Sequence, residues 1–156
     1  MDNLWAPWRI KYIHAKKKNT GCIFCQKPRQ KKDKNNFIVK RGKFVFSILN
    51  IFPYNNGHTL IVPYRHIDSL EKMNNDELSE MFEFVKQTTK IIKARLKAHG
   101  FNIGFNIGKV AGAGIDQHLH VHIVPRWEAD TNFMPVLSGT KIISQSLEEL
   151  YNILKL

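Results

Sequence analysis

The chain has 156 residues, of which 43% are hydrophobic and 24% charged, and it carries a formal net charge of +11. This length and balance suit one compact globular domain and exclude an intrinsically disordered chain. No apolar run approaches the roughly 18 residues of a membrane span, and no basic start followed by an apolar stretch marks a secretory signal. We therefore expect a cytoplasmic protein without a membrane partner.

Positive charge is concentrated towards the N-terminus. Residues 9–43 hold 13 of the 24 Lys and Arg against a single acid, Asp33. A field of that sign attracts polyanions, either phosphate-rich small molecules or nucleic acid. A solvated lysine-rich surface is the more ordinary explanation for Lys16–Lys18 and Lys31–Lys34, so the charge alone does not select a partner.

The first predicted elements are short. Residues 26–36 are polar and broken by proline, which predicts an exposed loop. Three β-rich runs follow over 37–39, 44–49 and 59–62, and Gly42 separates the first two as a hairpin turn would.

One long helix comes next. Asn74 or Asn75 can cap its start, and Gly100 is the predicted glycine stop at its end. Helical spacing predicts an apolar core stripe made of Leu78, Met81, Phe82, Val85, Ile92 and Leu96.

Two further strands are predicted over 101–106 and 118–124, joined by the glycine-rich loop 108–114. A short final helix is predicted over 147–154. Strands arranged around one long helix indicate an α+β fold with an antiparallel sheet of about five strands.

Three histidines alternate along the last predicted strand. Alternation sends His118, His120 and His122 to one face, and the apolar residues between them to the core. Imidazole is a nucleophile near neutral pH, so one histidine can attack phosphorus while the next donates to the leaving oxygen. The neighbouring glycine loop offers backbone N–H groups that approach phosphate closely. The spacing alone also allows a zinc site of three histidines.

Both cysteines lie in Cys22-Ile23-Phe24-Cys25. In a reducing compartment this spacing favours a metal site or a redox pair over a structural disulfide. A redox pair of the thioredoxin type opens a helix after a strand, whereas Cys22 precedes the predicted polar loop. The sequence therefore favours metal, with two free thiols as the plainer alternative.

Several motifs together resemble the histidine triad (HIT) family. They are the run Gly57-His58-Thr59-Leu60-Ile61-Val62-Pro63, His66, and the run from His118 to Val124-Pro125-Arg126. The opening Leu4-Trp5-Ala6-Pro7-Trp8-Arg9, Arg126-Trp127 and residues 130–136 are similar to a bacterial branch described as diadenosine tetraphosphate phosphorylase-like. The resemblance covers nearly the whole chain and implies a HIT-like fold and a homodimer built around one extended sheet.

The resemblance implies a role for each residue of the site. His120 is the nucleophile and forms a covalent nucleotidyl-histidine, His122 contacts the phosphate and the leaving group, and His118 is the first triad histidine. The substrate-binding residues that it implies are Asn50 at the ribose hydroxyls, Asn106 near the phosphates, Gly112 and Gly114 in the phosphate loop, and His58 behind the triad.

One departure from the family concerns the residues just before the triad. Many relatives place a Ser or Thr hydroxyl there, whereas this chain has Gly114-Ile115-Asp116-Gln117. Gln117 or backbone amides are the candidate substitutes, and Asp116 would repel a phosphate if it faced the site.

The resemblance also implies a structural zinc ion held by Cys22, Cys25, His66 and His118. Four protein ligands close a tetrahedral site and leave no open position for catalysis by the metal. Such a site would pin the N-terminal segment to the sheet and hold the strand of His120 in place.

We expect a single HIT domain over 1–156, with a zinc-binding basic segment (1–36), a core (37–126) and a C-terminal extension (127–156). The expected function is cleavage of a dinucleoside polyphosphate, such as diadenosine tetraphosphate, by hydrolysis or phosphorolysis. One alternative is hydrolysis of a nucleoside phosphoramidate by the same His120 chemistry. Another is a nucleotide- or RNA-binding protein with little turnover, in which the basic segment contacts the nucleic acid.

Overall fold

A five-stranded antiparallel sheet forms the centre of the protein, whose computed structural model describes residues 21–131 and 142–156. The strand order is β1-β2-β3-β5-β4, and every neighbouring pair is antiparallel. The strands are β1 (Ile38–Arg41), β2 (Val45–Leu49), β3 (Thr59–Pro63), β4 (Gly100–Phe105) and β5 (Val121–Arg126). The α+β prediction is confirmed, including the number of strands.

Four α-helices accompany the sheet in the described part of the chain. They are α1 (Ile23–Arg29), α2 (Asp33–Asn36), α3 (Asn75–Leu96) and α4 (Leu147–Leu154). None of the helices described is both long and apolar enough to cross a membrane. The motifs at 4–9 and 132–136 and the basic run at 16–18 lie outside the described residues.

The predicted loop over 26–36 is wrong, because α1 and α2 occupy most of it. Phe24 and Pro28 stand four residues apart in α1 and are both buried. Packing of these two side chains stabilises a short helix that the polar composition does not favour. Tertiary contacts therefore override the local sequence signal.

Helix α3 begins as predicted and ends earlier than predicted. Asn74 and Glu77 form a capping box, in which each side chain accepts the backbone N–H of the other. The helix ends at Leu96, and Lys97 takes the left-handed conformation with φ 55°. Gly100 is not the stop, because it pairs with Arg126 as the first residue of β4.

The apolar stripe of α3 differs from the prediction at one position. Met81 and Ile92 are fully buried, whereas Phe82 is 60% exposed and Phe84 is buried. Phe84 stands three residues after Met81 and so shares its face, while Phe82 is rotated by about 100° from Met81. The position of Phe82 in the predicted core is therefore wrong.

The sheet has an apolar cluster on each face. Residues of α3 and α4 pack on one face and form the larger core. The smaller cluster on the other face consists of Phe24, Ile38, Phe46, Ile48, Leu60 and Val62. Ile48 pairs with Leu60, and Leu60 pairs with His122, so these side chains point to the same face. The histidines therefore lie on the face that carries the smaller cluster.

Candidate active site and metal centre

His120 and His122 form the centre of the candidate active site. Both residues are buried, and their ring centroids lie 4.8 Å apart. The predicted strand over 118–124 is wrong at its start, because β5 begins at Val121. The Leu119 N–H donates to the carbonyl of Ile67 at 2.6 Å, which draws residues 118–120 towards the segment after β3.

Hydrogen bonding decides which nitrogen of His120 carries the proton. Its Nδ1 lies 2.7 Å from the carbonyl oxygen of His118. A carbonyl only accepts, so Nδ1 carries the proton and Nε2 keeps a lone pair. Burial lowers the pKa of His120, which keeps the ring neutral near pH 7. The geometry therefore leaves His120 with an uncharged Nε2 whose lone pair can act as a nucleophile.

A second chain of hydrogen bonds places the proton of His122 on Nε2, the opposite nitrogen from that of His120. His58 Nδ1 receives the backbone N–H of Tyr54 at 3.0 Å, so the proton of His58 is on Nε2. That Nε2–H donates to His122 Nδ1 at 2.9 Å. His122 must then carry its own proton on Nε2, a buried atom without a protein partner among the described residues. An unpaired buried donor is a group that a substrate can satisfy.

Both members of this pair stay neutral far below pH 7. Burial first, then the neighbouring His122 and His120, lower the pKa of His58 to about 3. Burial first, then His120, lower the pKa of His122 to about 4. His122 is therefore a donor of a hydrogen bond rather than a cationic acid, as a neutral imidazole can be in other active sites.

Tyr54 belongs to this cluster, although it lies between the predicted strands 44–49 and 59–62 and has no predicted role. Its ring is parallel to that of His122, with an interplanar angle of 7° and centroids 5.5 Å apart. It also contacts the His58 ring, at 4.7 Å between centroids. The sequence around Tyr54 does not indicate a functional role, because Tyr54 meets the histidines only when β3 pairs with β5.

The structure brings two of the predicted substrate-binding residues to this cluster besides His58. Asn50 donates from Nδ2 to His58 Nδ1 at 3.3 Å, and its Oδ1 accepts the Phe52 N–H at 2.9 Å. Asn106 donates from Nδ2 to the Tyr54 hydroxyl at 3.3 Å. These contacts place the two asparagines at the end of the cluster formed by His58 and Tyr54.

The glycine-rich loop lies next to Asn106. Gly112 has φ 86°, a conformation that L side chains rarely adopt, and a Cβ there would lie 3.9 Å from Asn106 Nδ2. Gly114 and Gln117 are exposed. The Asp116 carboxylate lies 3.7 Å from Lys109 Nζ, so a lysine offsets the negative charge closest to the triad in sequence.

Four side chains from three parts of the chain meet beside His120. The potential ligand atoms of Cys22, Cys25, His66 and His118 all lie within 4.8 Å of one another. His118 Nδ1 lies 3.2 Å from Cys22 Sγ, 3.6 Å from Cys25 Sγ and 3.2 Å from His66 Nδ1. Zinc bonds of about 2.0–2.3 Å at tetrahedral angles separate ligand atoms by about 3.3–3.8 Å. The four residues therefore fit a tetrahedral metal site.

The protonation of the cluster also suits a cation. His118 Nε2 donates to the Pro63 carbonyl at 2.9 Å, which leaves Nδ1 with a lone pair for the metal. Burial first, and then Cys22, raise the pKa of Cys25. A bound cation would offset that rise and favour two adjacent thiolates.

One argument from the sequence against a redox pair does not hold. Cys22 directly precedes α1 and Cys25 lies inside it, so the pair does open a helix. The two histidines at ligand distance, and not the local sequence, now favour metal over redox chemistry.

Comparison with known proteins gives a consistent result. The family model of the HIT domain matches residues 31–129. The AP-4-A phosphorylase of Mycobacterium tuberculosis is 37% identical over 162 residues, which covers 99% of this chain and 83% of that protein. The adenosine 5′-monophosphoramidase of Candida albicans is 30% identical and covers 72% of this chain and 75% of that protein. The asymmetrical bis(5′-nucleosyl)-tetraphosphatase of Schizosaccharomyces pombe is 34% identical, over 60% of this chain and 50% of that protein.

Solved structures show the same similarity. A histidine triad nucleotide-binding protein from Sulfolobus tokodaii superposes with a TM-score of 0.69 and 31% identity, over 85% of this chain and 89% of that one. A zinc-bound histidine triad family protein from Mycobacterium smegmatis gives a TM-score of 0.70 and 27% identity, over 86% of this chain and 91% of that one.

Proposed function

Because this chain belongs to the HIT domain family, we propose that it is an enzyme that cleaves dinucleoside polyphosphates such as diadenosine tetraphosphate. The bond broken is at the α-phosphate, and a covalent nucleotide on His120 is the intermediate. One observation carries this proposal: His120 presents a lone pair on Nε2, while His122, 4.8 Å away between centroids, presents an N–H. A displacement at phosphorus needs both a nucleophile and a donor to the departing oxygen.

The first step follows from these two nitrogens. His120 Nε2 attacks the α-phosphorus, and the bond to the bridging oxygen breaks with its electron pair on that oxygen. The Nε2–H of His122 donates a hydrogen bond to the oxygen as its negative charge develops. The His120 ring becomes positive, and the His118 carbonyl facing Nδ1–H stabilises that charge.

In the second step, water or inorganic phosphate attacks the same phosphorus and His120 leaves as a neutral imidazole. The acceptor loses one proton, so water yields a nucleoside monophosphate and phosphate yields a nucleoside diphosphate. The leaving portion of a diadenosine tetraphosphate is ATP in either case.

The remaining predicted residues are proposed as substrate ligands. Asn50 would contact the ribose hydroxyls, and Asn106 with the loop at Gly112 and Gly114 would contact the phosphates. The proximity of Asn106 to Gly112 and to the Tyr54 hydroxyl supports a shared phosphate-binding region. Gln117 is exposed just before the triad and can add one polar contact.

We propose that zinc occupies the cluster of Cys22, Cys25, His66 and His118. The separations between ligand atoms support this assignment, as does the zinc-bound relative from M. smegmatis. Zinc would supply a structural cross-link between α1 and the segment before β5. The chain's own contribution to catalysis is that His118, held through its ring, offers its carbonyl to His120.

We also propose a homodimer, formed through β4. Within the described residues, β4 pairs on one side only, with β5. Ile103, near its middle, is 48% exposed. Exposed strand edges with apolar side chains pair readily with another chain, and a second copy would extend the sheet.

A cytoplasmic location remains a prediction from the sequence.

Product analysis tests the proposed reaction. Diadenosine tetraphosphate is incubated with the wild type, with His120→Ala and with the matched control His99→Ala, with and without inorganic phosphate. His99 is suitable because its Nδ1 accepts the Glu128 N–H outside the triad. AMP plus ATP indicates hydrolysis, and ADP plus ATP only with phosphate indicates phosphorolysis.

Three results would contradict the proposal. His120→Ala with wild-type activity would overturn the role of His120, and loss in His99→Ala alone would place the chemistry elsewhere. A wild type that leaves diadenosine tetraphosphate intact but hydrolyses adenosine 5′-phosphoramidate would overturn the substrate class while retaining the nucleophile.

A further inference from the structure

Tyr54 is half-exposed, and its ring lies against the rings of His122 and His58. We propose that the Tyr54 hydroxyl donates a hydrogen bond to the phosphate on the leaving-group side of the bond that breaks. The assignment of sides rests on the proposed function, because that function makes His122 the donor to the leaving oxygen.

Contacts of its backbone, its ring and its hydroxyl hold Tyr54 in place. At the backbone end, its N–H donates to His58 Nδ1 at 3.0 Å. At the ring, it lies parallel to His122 with centroids 5.5 Å apart. At the hydroxyl end, it accepts from Asn106 Nδ2 at 3.3 Å. The hydroxyl therefore has a defined position, although the residue is 51% exposed.

Among the described residues, the Tyr54 hydroxyl bonds to Asn106, and its own O–H has no acceptor. A phenol has one O–H and can also accept, and here Asn106 uses an acceptor position. The oxygens of an ionised phosphate only accept, so the O–H is matched to them. Hydrogen bonds to a charged group are stronger than neutral ones.

No other hydroxyl is available from the neighbouring loop. Residues 107–117 contain no Ser, Thr or Tyr. The acid in that loop, Asp116, lies 3.7 Å from Lys109 Nζ, and its carboxylate cannot donate to phosphate. The phenol of Tyr54 thus supplies a hydroxyl donor that this loop lacks.

The stacking partner decides which phosphate is contacted. Tyr54 packs on His122 and His58, which form a relay in which His58 donates a hydrogen bond to His122. In the proposed reaction, the Nε2–H of His122 faces the leaving oxygen. A hydroxyl on that side reaches the phosphate beyond the bridging oxygen rather than the α-phosphate. Diadenosine tetraphosphate and ATP both carry a phosphate in that position, whereas AMP does not.

Equilibrium binding of ATP and AMP to the wild type and to Tyr54→Phe tests this inference. Phenylalanine keeps the ring that stacks on His122 and removes only the hydroxyl. We expect the Kd for ATP to rise by about tenfold or more, and the Kd for AMP to change less than about twofold. Tyr151→Phe is the matched control, since Tyr151 is buried in the core against Phe37, and both of its affinities should equal those of the wild type.

The outcomes separate this inference from the proposed reaction. Equal affinities of Tyr54→Phe and wild type for ATP, or an equal loss for ATP and AMP, would overturn the role of the hydroxyl. If ATP binding alone weakens but no His120 adduct forms from diadenosine tetraphosphate, the proposed reaction fails while the phosphate contact stands. If the adduct forms and Tyr54→Phe binds ATP normally, the reaction stands and this inference fails.

Discussion

At the scale of single residues, the proposed chemistry depends on which nitrogen of each histidine carries a proton. The His118 carbonyl fixes the proton of His120 on Nδ1, and the Tyr54 N–H fixes that of His58 on Nε2. The relay from His58 then fixes the proton of His122 on Nε2. His120 and His122 are two residues apart, yet their protons lie on different ring nitrogens. The backbone groups that cause this difference cannot be read from a motif of side chains.

The relay predicts that His58 positions His122 without touching the reacting atoms. His58→Leu removes the donor to His122 Nδ1 and keeps an apolar side chain in the buried space. We expect kcat to fall by about tenfold to a hundredfold, because the tautomer of His122 that donates is no longer enforced. Steady-state kinetics with diadenosine tetraphosphate measure this effect, with His99→Leu as the control. An unchanged kcat in His58→Leu would show that the relay does not act in the reaction.

The same pair predicts that acid destabilises the fold. The pKa values of His58 and His122 are lowered to about 3 and about 4, whereas both lie near 6.5 in the unfolded chain. The unfolded chain therefore binds more protons below pH 6.5, and the stability present above that pH is lost progressively as pH falls towards 4 and then 3. Each histidine contributes at most about 1.4 kcal/mol per pH unit in this window.

Urea unfolding at pH 7 and pH 5 checks this expectation with the metal-loaded wild type and His122→Asn. The variant should lose less free energy of unfolding between the two pH values, because it has one fewer histidine to protonate. Metal release at acid pH affects both proteins, so their difference isolates the histidine. Identical losses would contradict the assignment of a neutral buried His122.

At the scale of elements, the metal cluster joins parts of the chain that the sheet does not hold together. Cys22 and Cys25 come from the start of α1, His66 from the segment after β3, and His118 from the segment before β5. The residue that supplies the last ligand also supplies the carbonyl for His120. The geometry of the proposed metal site and the orientation of the proposed nucleophile are thereby coupled.

Loss of one ligand tests that coupling. In Cys25→Ser we expect the zinc content to fall well below that of the wild type and the Tm to drop by about 5 °C or more. We also expect a lower rate of His120 adduct formation, since the His118 carbonyl is then held by fewer contacts, chiefly the bonds of His118 to Pro63 and of Leu119 to Ile67. Mass spectrometry of bound metal, calorimetry and single-turnover kinetics measure the three quantities. Zinc added back should rescue chelator-treated wild type and not Cys25→Ser, and a variant with full metal content would exclude Cys25 as a ligand.

The exposed edge of the sheet gives a second prediction at this scale. Ile103→Lys places a charge on β4, and we expect the dimer to dissociate because desolvating that charge in a paired edge is unfavourable. Light scattering after size-exclusion chromatography gives the mass. Ile142→Lys is the control, since Ile142 is 55% exposed and lies outside β4. A wild-type monomer, or a dimer that persists in Ile103→Lys, would contradict the proposed interface.

At the scale of the whole molecule, the net charge of +11 sets the long-range field. Asp33, the single acid among residues 9–43, forms an ion pair with Arg41, with 2.7 Å between Oδ1 and Nη2. Lysines of α1, α2 and the turn between them therefore keep an excess positive charge on the side of the molecule that holds Cys22 and Cys25. Such a field attracts any polyphosphate towards the site.

Salt dependence distinguishes a small polyphosphate substrate from RNA. We expect kcat/KM for diadenosine tetraphosphate to fall less than about tenfold between about 50 and 200 mM KCl, because one substrate offers few charges. An RNA-binding surface with about six to ten phosphate contacts would lose about 10³–10⁵ in affinity over the same range. RNA binding measured by fluorescence anisotropy is the parallel experiment. Tight, steeply salt-dependent RNA binding together with absent turnover would favour the nucleic-acid alternative.

Much of the fold is readable from local patterns. Short runs rich in β-branched and aromatic residues predict β2 and β3, the capping residues Asn74 and Glu77 mark the start of α3, and the apolar spacing of its core face is visible apart from Phe82. These signals are local because backbone geometry repeats every two or 3.6 residues. The first two helices escape such reading. Burial of Phe24 and Pro28 stabilises α1, and the buried Asn36 side chain ties α2 to it by donating to the Lys27 carbonyl and to Gln30.

By itself, the sequence determined the α+β class, the family resemblance and the identity of the residues capable of chemistry. Those depend on residue type and spacing, which the chain carries explicitly. Only the tertiary structure decided that His118 turns to the cysteines while His120 and His122 remain together, and that Tyr54 stacks on His122. These outcomes depend on hydrogen bonds between distant segments, such as Leu119 N–H to the Ile67 carbonyl, and such contacts exist only after the strands have paired.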